Sequence, residues 1–182
     1  MRQLIKDRAL VEDRWTLLCD ASVLADVTAG MSAIVPLPLW LAHRGDLLAR
    51  GGVGVWLAPD DDPETLGADI GLLPLIAVDF PQFTDGRGYS IGRLLRDRHG
   101  FAGELRAVGD VLCDQLFALA ECGFDAFAIR DGRDAGKALA GCDACTGVYV
   151  STARTPQPRF RRRQAAAGHG DSSHRGPGIV VG

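Results

Sequence analysis

Residues 75–108, LIAVDFPQFTDGRGYSIGRLLRDRHGFAGELRAV, decide how this chain folds. Leu75 to Phe80 is an apolar run of strand length. Ser90 to His99 places Ile91, Leu94 and Leu95 along one side of a helix, and Glu104 to Val108 is a second short strand. Strand, helix and strand in such close succession form the unit that joins parallel neighbours by a right-handed crossover.

The same beat continues on both sides. Upstream, Val53 to Ala58 is an apolar run that ends in Pro59-Asp60-Asp61-Asp62-Pro63, and Glu64 to Leu72 reads as a short helix. Before it, Pro36 to Arg50 brings Trp40, Leu41, Leu47 and Leu48 near one helical face, with prolines tolerated at the start and Gly51-Gly52 as the stop. Downstream, Val111 to Cys122 buries Leu112, Leu116, Leu119 and Ala120 as a helix, and Phe124 to Ile129 is the fourth strand of the series. A helix around Asp134 to Leu139 and an extended piece, Gly147 to Val150, complete the pattern. At the other end Gln3–Lys6 and Ala9–Glu12 alternate around Asp7-Arg8 and lead into Trp15 to Leu18, which predicts an N-terminal hairpin or meander. The expected fold is α/β, a mainly parallel sheet of four to five strands with crossover helices. The units are too few for an eight-fold barrel, and spacing leaves both an open wound sheet and a partial barrel standing.

Composition sets the boundaries. Of 182 residues 47% are hydrophobic and 24% charged, as one soluble globular domain requires, and this excludes a fibrous or wholly disordered chain. No apolar run approaches the roughly 20 residues of a membrane-spanning helix. The formal charge is -3, unevenly spread: residues 1–153 hold 14 basic against 22 acidic groups, while six arginines and one acid follow from Arg154 onward. We therefore expect one α/β domain over residues 1–153 and a basic tail over 154–182, too poor in large apolar groups to repay its ordering entropy and so disordered. An acidic body argues against nucleic acid as its main partner. The charged start, Met1 to Arg8, does not read as a secretory leader, and a cytoplasmic protein is the expectation. Five cysteines without an export signal read as reduced thiols. Cys142-Asp143-Ala144-Cys145 has no second pair to complete a zinc site, so no metal site is assigned.

The strand ends carry the chemistry: Asp60 to Asp62, Asp79, Gly109-Asp110 and Arg130-Asp131. In parallel α/β sheets these ends converge on one edge where ligands bind. Asp also caps the helix that follows a strand, so part of this regularity is structural. Between strand and helix, Gly86, Arg87, Gly88 and Ser90 read in two ways. Converging amides at a helix start, with Arg87 as counter-charge and Arg93 one turn further on, suit a small oxyanion. Alternatively Asp85-Gly86 is a turn that needs no ligand; the segment matches neither the dinucleotide nor the P-loop fingerprint. Asp79 with Asp85 or Asp110 offers a carboxylate pair for metal binding or acid/base work. Ser90 has no histidine close in sequence, and His43 and His99 read as structural.

The stretch Asp79 to Ser90, with Arg93 to Arg96, Gly103 to Leu112, Asp114-Gln115 and Cys122 to Phe127, resembles domain of unknown function family 934, a bacterial family. The resemblance covers most of residues 1–150 and departs after Gly141, where the Cys142–Cys145 pair and the arginine-rich tail are this chain's own. Family members are encoded beside assimilatory sulfite reductase and described as oxidoreductases of sulfite reduction. The resemblance thus implies an oxidoreductase or accessory factor in sulfur assimilation, with sulfite reductase as partner and a small oxyanion as ligand. A noncatalytic assembly or stabilising partner of the reductase is the alternative. No nicotinamide, flavin or iron–sulfur fingerprint is present in the sequence, and the cofactor is left unassigned.

Overall fold

The computed structural model describes residues 3–6, 9–19, 24–28 and 30–128. Eight strands form one sheet: β1 (Gln3–Lys6), β2 (Ala9–Glu12), β3 (Thr16–Leu17), β4 (Ala33–Pro36), β5 (Val53–Leu57), β6 (Leu75–Phe80), β7 (Glu104–Gly109) and β8 (Ala126–Phe127). Their spatial order is β2-β1-β8-β7-β6-β5-β4-β3. From β3 to β8 every pairing is parallel, and β1 joins β8 and β2 antiparallel. A doubly wound sheet needs a point where the strand order reverses. From β3 to β8 neighbours in the chain stay neighbours in the sheet, so right-handed connections there all fall on one face and the sheet curls into an open half-barrel. Spacing could not show this, because both architectures share the same strand–helix beat.

The helices are α1 (Leu37–Arg50), α2 (Arg87–Arg93) and α3 (Leu116–Glu121). Among these described elements no helix is long and apolar enough to cross a membrane. Two differences from the sequence reading concern strands. Ala33–Pro36, four buried residues that run straight into α1, form a strand of their own, because Pro36 ends the strand and its extended backbone opens the helix. Thr16–Leu17 leaves the hairpin and pairs with β4 at the far end of the sheet, so the N-terminus makes a hairpin and not a meander. Among the described residues the strand count is therefore eight, above the expected four to five. The segment Pro63–Leu72 is 3-10 and not α-helical, broken at Gly67. The helix after β6 starts at Arg87, three residues before Ser90, and passes into a π-helical turn at Leu94–Arg98. Residue 129, the helix expected at 134–139, the Cys142–Cys145 pair, the 147–150 strand and the 154–182 tail lie outside the described residues.

Side chains alternate across each strand. Ile76, Val78 and Phe80 of β6 join the large core beneath the helices with Trp40, Leu95, Leu116 and Phe124, whereas Leu75 and Ala77 pack with Ile34, Val108, Trp15 and Trp56 on the opposite face. That second face also holds a buried ion chain. Lys6 Nζ donates to Glu104 Oε2 (2.7 Å), Arg106 Nε to Glu104 Oε1 (2.8 Å), and Arg106 Nη1 to both oxygens of Asp13 (2.9 and 3.0 Å). It ties the hairpin and the turn after it to β7. A second pair docks α1 on the 3-10 segment: Arg44 grips Asp69, which also accepts from Trp40 Nε1 at 3.2 Å. The Arg44 hydrogen bond holds the Asp69 carboxyl below its ordinary range against the opposing effect of burial.

Candidate functional site: the carboxyl edge of the sheet

Register brings the ends of β5, β6 and β7 level, Leu57 beside Val78 and Phe80 beside Gly109, so that their following loops share one edge. Loop 58–62 is built on its own carboxylates: Asp61 accepts from the Ala58 amide (2.7 Å) and Asp62 from that of Glu64 (2.9 Å). Asp60 projects outward, 86% exposed.

Arg87 is the first residue of α2, and its charge is already answered. Nε and Nη2 donate to Asp85 at 3.0 and 2.6 Å, Nη1 pairs with Asp60, and the Arg87 amide itself donates to Asp85 Oδ1 at 3.1 Å. The Arg87 hydrogen bonds hold the Asp85 carboxyl below its ordinary range. The N-cap position is Gly86, Asp85 just before it accepts the first helical amide, and Ser90 lies exposed within the helix and does not cap it. Gly88 serves packing: a Cβ there would sit 2.5 Å from the Phe80 ring, whose edge also meets Tyr89 at 5.5 Å between centroids. Gly86 has open space around it. Arg93 lies six residues beyond Arg87, about 9 Å along the axis, and pairs with Asp97 at 2.8 Å. There it lines an open groove with Tyr89, Leu94, Arg98 and Cys122, whose thiol is pushed up by burial. The structure thus separates Arg93 from the Arg87 corner. Arg130 falls outside the described residues.

Asp79 is the second feature of this edge. It is the penultimate residue of β6, on the face opposite the helices, partly buried beside the Gly109 backbone, and among the described residues no cation pairs with it. Burial raises its pKa, with Asp85 adding to the rise and the Phe80 amide opposing it. A carboxyl whose folded pKa is raised loses stability as pH climbs from its unfolded value through the folded one. Asp79→Asn is therefore expected to raise the melting temperature at pH 7, with the gain vanishing below pH 4; an unchanged or lower value at pH 7 would show a stabilising partner for the carboxylate.

Asp110 and Gln115, which sequence reading left as a site-shaping residue and a motif position, hold the loop after β6. Asp110 Oδ2 accepts from the Phe83 amide (3.3 Å), Gln115 Nε2 donates to the Phe83 carbonyl (2.8 Å), and Gln115 Oε1 accepts from Leu112 (2.9 Å). The Phe83 ring itself stays 54% exposed. Nothing in spacing alone foretold that clamp. Among the described residues no three His, Cys, Asp or Glu side chains gather to hold a metal ion.

The family described as "Bacterial protein of unknown function (DUF934)" matches residues 54–160. The chain belongs to this family. None of the curated proteins matches it. The DUF934 match begins within β5 and takes in every loop of the carboxyl edge, whereas the hairpin, β3, β4 and α1 precede it.

Proposed function

We propose that the chain works in assimilatory sulfite reduction, as an oxidoreductase or accessory factor, and that its working surface is the carboxyl edge of the curled sheet. The observation that supports this reading is that residues 79–90, the stretch on which the family resemblance is strongest, build that edge. A small oxyanion such as sulfite would compete at Arg87 with Asp60 and not with Asp85. Asp60 is exposed, and exposed ion pairs contribute only about 0–1 kcal/mol. Asp85 is 13% exposed and holds the guanidinium through two nitrogens. Nη1 of Arg87 is then the receiving group, with Asp85 fixing the guanidinium and Gly86, Gly88 and Ser90 next to it at the start of α2. A deletion strain is expected to grow on cysteine and fail on sulfate as sole sulfur source; normal growth on sulfate would remove the chain from the pathway. For the purified protein, sulfite is expected to raise the melting temperature, and Arg87→Ala to abolish that rise while leaving the ligand-free value near wild type.

One observation favours the noncatalytic reading, a stabilising partner of sulfite reductase. Asp60 and Asp85 pair with Arg87, and Asp61, Asp62, Asp79 and Asp110 belong to the same strand ends and loops; a field of that sign repels a small anion. No heat shift with sulfite, together with copurification of the reductase, selects this reading over the first.

A further inference from the structure

Phe83 stands apart from the other exposed apolar side chains. Leu10 and Val11 lie on β2, the end strand of the sheet, which pairs with β1, and Leu41 and Leu72 lie in helical segments. Phe83 lies in an irregular loop, yet side chains from the β7–α3 connection take up both its amide and its carbonyl. The clamp is itself fixed, because Gln115 spends its other polar atom on Leu112. An aromatic ring is thus held out to solvent on a backbone that has little freedom left to lose. Interfaces draw most of their energy from such anchors, and an anchor ordered beforehand costs less to bind. Around it the same edge presents carboxylates, with Asp60 the most exposed.

We propose that Phe83 is the anchor of a protein-docking surface on this edge, and that the partner's facing patch is basic with an apolar pocket at its centre. Charge complementarity decides the occupant: carboxylates at the rim attract lysine and arginine, speed encounter and repel nucleic acid. This inference rests on the partner reading above and supplies the surface for it.

The test measures binding of the intact chain to purified sulfite reductase at low and high salt. Phe83→Ala is expected to weaken binding at least tenfold, mainly through faster dissociation. Asp60→Lys is expected to slow association and flatten its salt dependence. Both side chains are exposed, so thermal melting should confirm that neither variant unfolds. If the wild type binds and both variants bind equally well, the surface lies elsewhere while the partner reading stands. No binding by the wild type overturns the partner reading and this surface with it. If Phe83→Ala instead converts a dimer to a monomer in light scattering, the occupant is a second copy and the basic-partner proposal is overturned.

Discussion

Arg106→Ala is expected to lower the unfolding free energy by about 3–5 kcal/mol, the cost of removing one member of a buried ion pair. The side chain is 3% exposed, and its loss leaves Asp13 and Glu104, each under a tenth exposed, without their shared cation. Lys6 still faces Glu104, but Asp13 loses both bonds that its carboxylate receives from Arg106. For a chain of this size the loss corresponds to a fall in melting temperature of roughly 6–20 °C. Arg106→Lys should recover little, since one ammonium cannot span two carboxylates on opposite sides as a planar guanidinium does. Replacing Asp13, Glu104 and Arg106 together with apolar residues of similar volume should destabilise less than Arg106→Ala, because no charge is then stranded. Thermal and urea unfolding of these variants check the ranking. A drop of under 1 kcal/mol for Arg106→Ala would mean that water reaches the carboxylates and that the hairpin is held by its pairing with β8 and by the burial of Leu4 and Ile5.

The apolar runs at β5 and β6 and the short strand at β7 were legible because their interiors are buried on both faces, and the DFPQFTDGRGYS segment was legible as the place where the edge is built. Three things were not. β4 is four residues abutting a proline-started helix, so its period is too short to separate from the helix that follows. The half-barrel lies in the order of neighbours, a nonlocal property that the repeating beat does not encode. The charge on Arg87 read as available although Asp85, two residues earlier, is its main partner; the second partner, Asp60, is 27 residues away in sequence and meets it only across parallel strand ends. Arg106 carried a signal that could have been used: a cation flanked by Leu105 and Ala107 within a buried strand implies an acidic partner on the same face. Glu104, two residues earlier and on that face, is one of its partners.

Gly109→Ala joins the two levels, fold and edge. Gly109 ends β7 at φ +95°, a conformation that residues with a Cβ rarely adopt, and a Cβ there would meet the Phe80 carbonyl oxygen at 2.5 Å and Asp79 Oδ1 at 2.6 Å. One of these neighbours is backbone inside a paired strand, so it cannot rotate aside. Backbone strain and overpacking together should cost roughly 2–5 kcal/mol. Relief must come from moving β6 and β7 apart at their carboxyl ends. That movement breaks the 2.6 Å bond from the Asp110 amide to the Phe80 carbonyl and draws Asp110 away from Phe83. The variant should therefore melt several degrees below wild type and also exchange the Phe83 amide hydrogen faster under conditions where the folded state persists. Gly86→Ala is the control, since that glycine has φ -85° and open space around it, and it should leave both readouts near wild type. Faster exchange at Phe83 without a fall in melting temperature would show that the clamp yields before the strands do. An unchanged exchange rate in a strongly destabilised variant would separate the loop from the strand end that is argued to hold it.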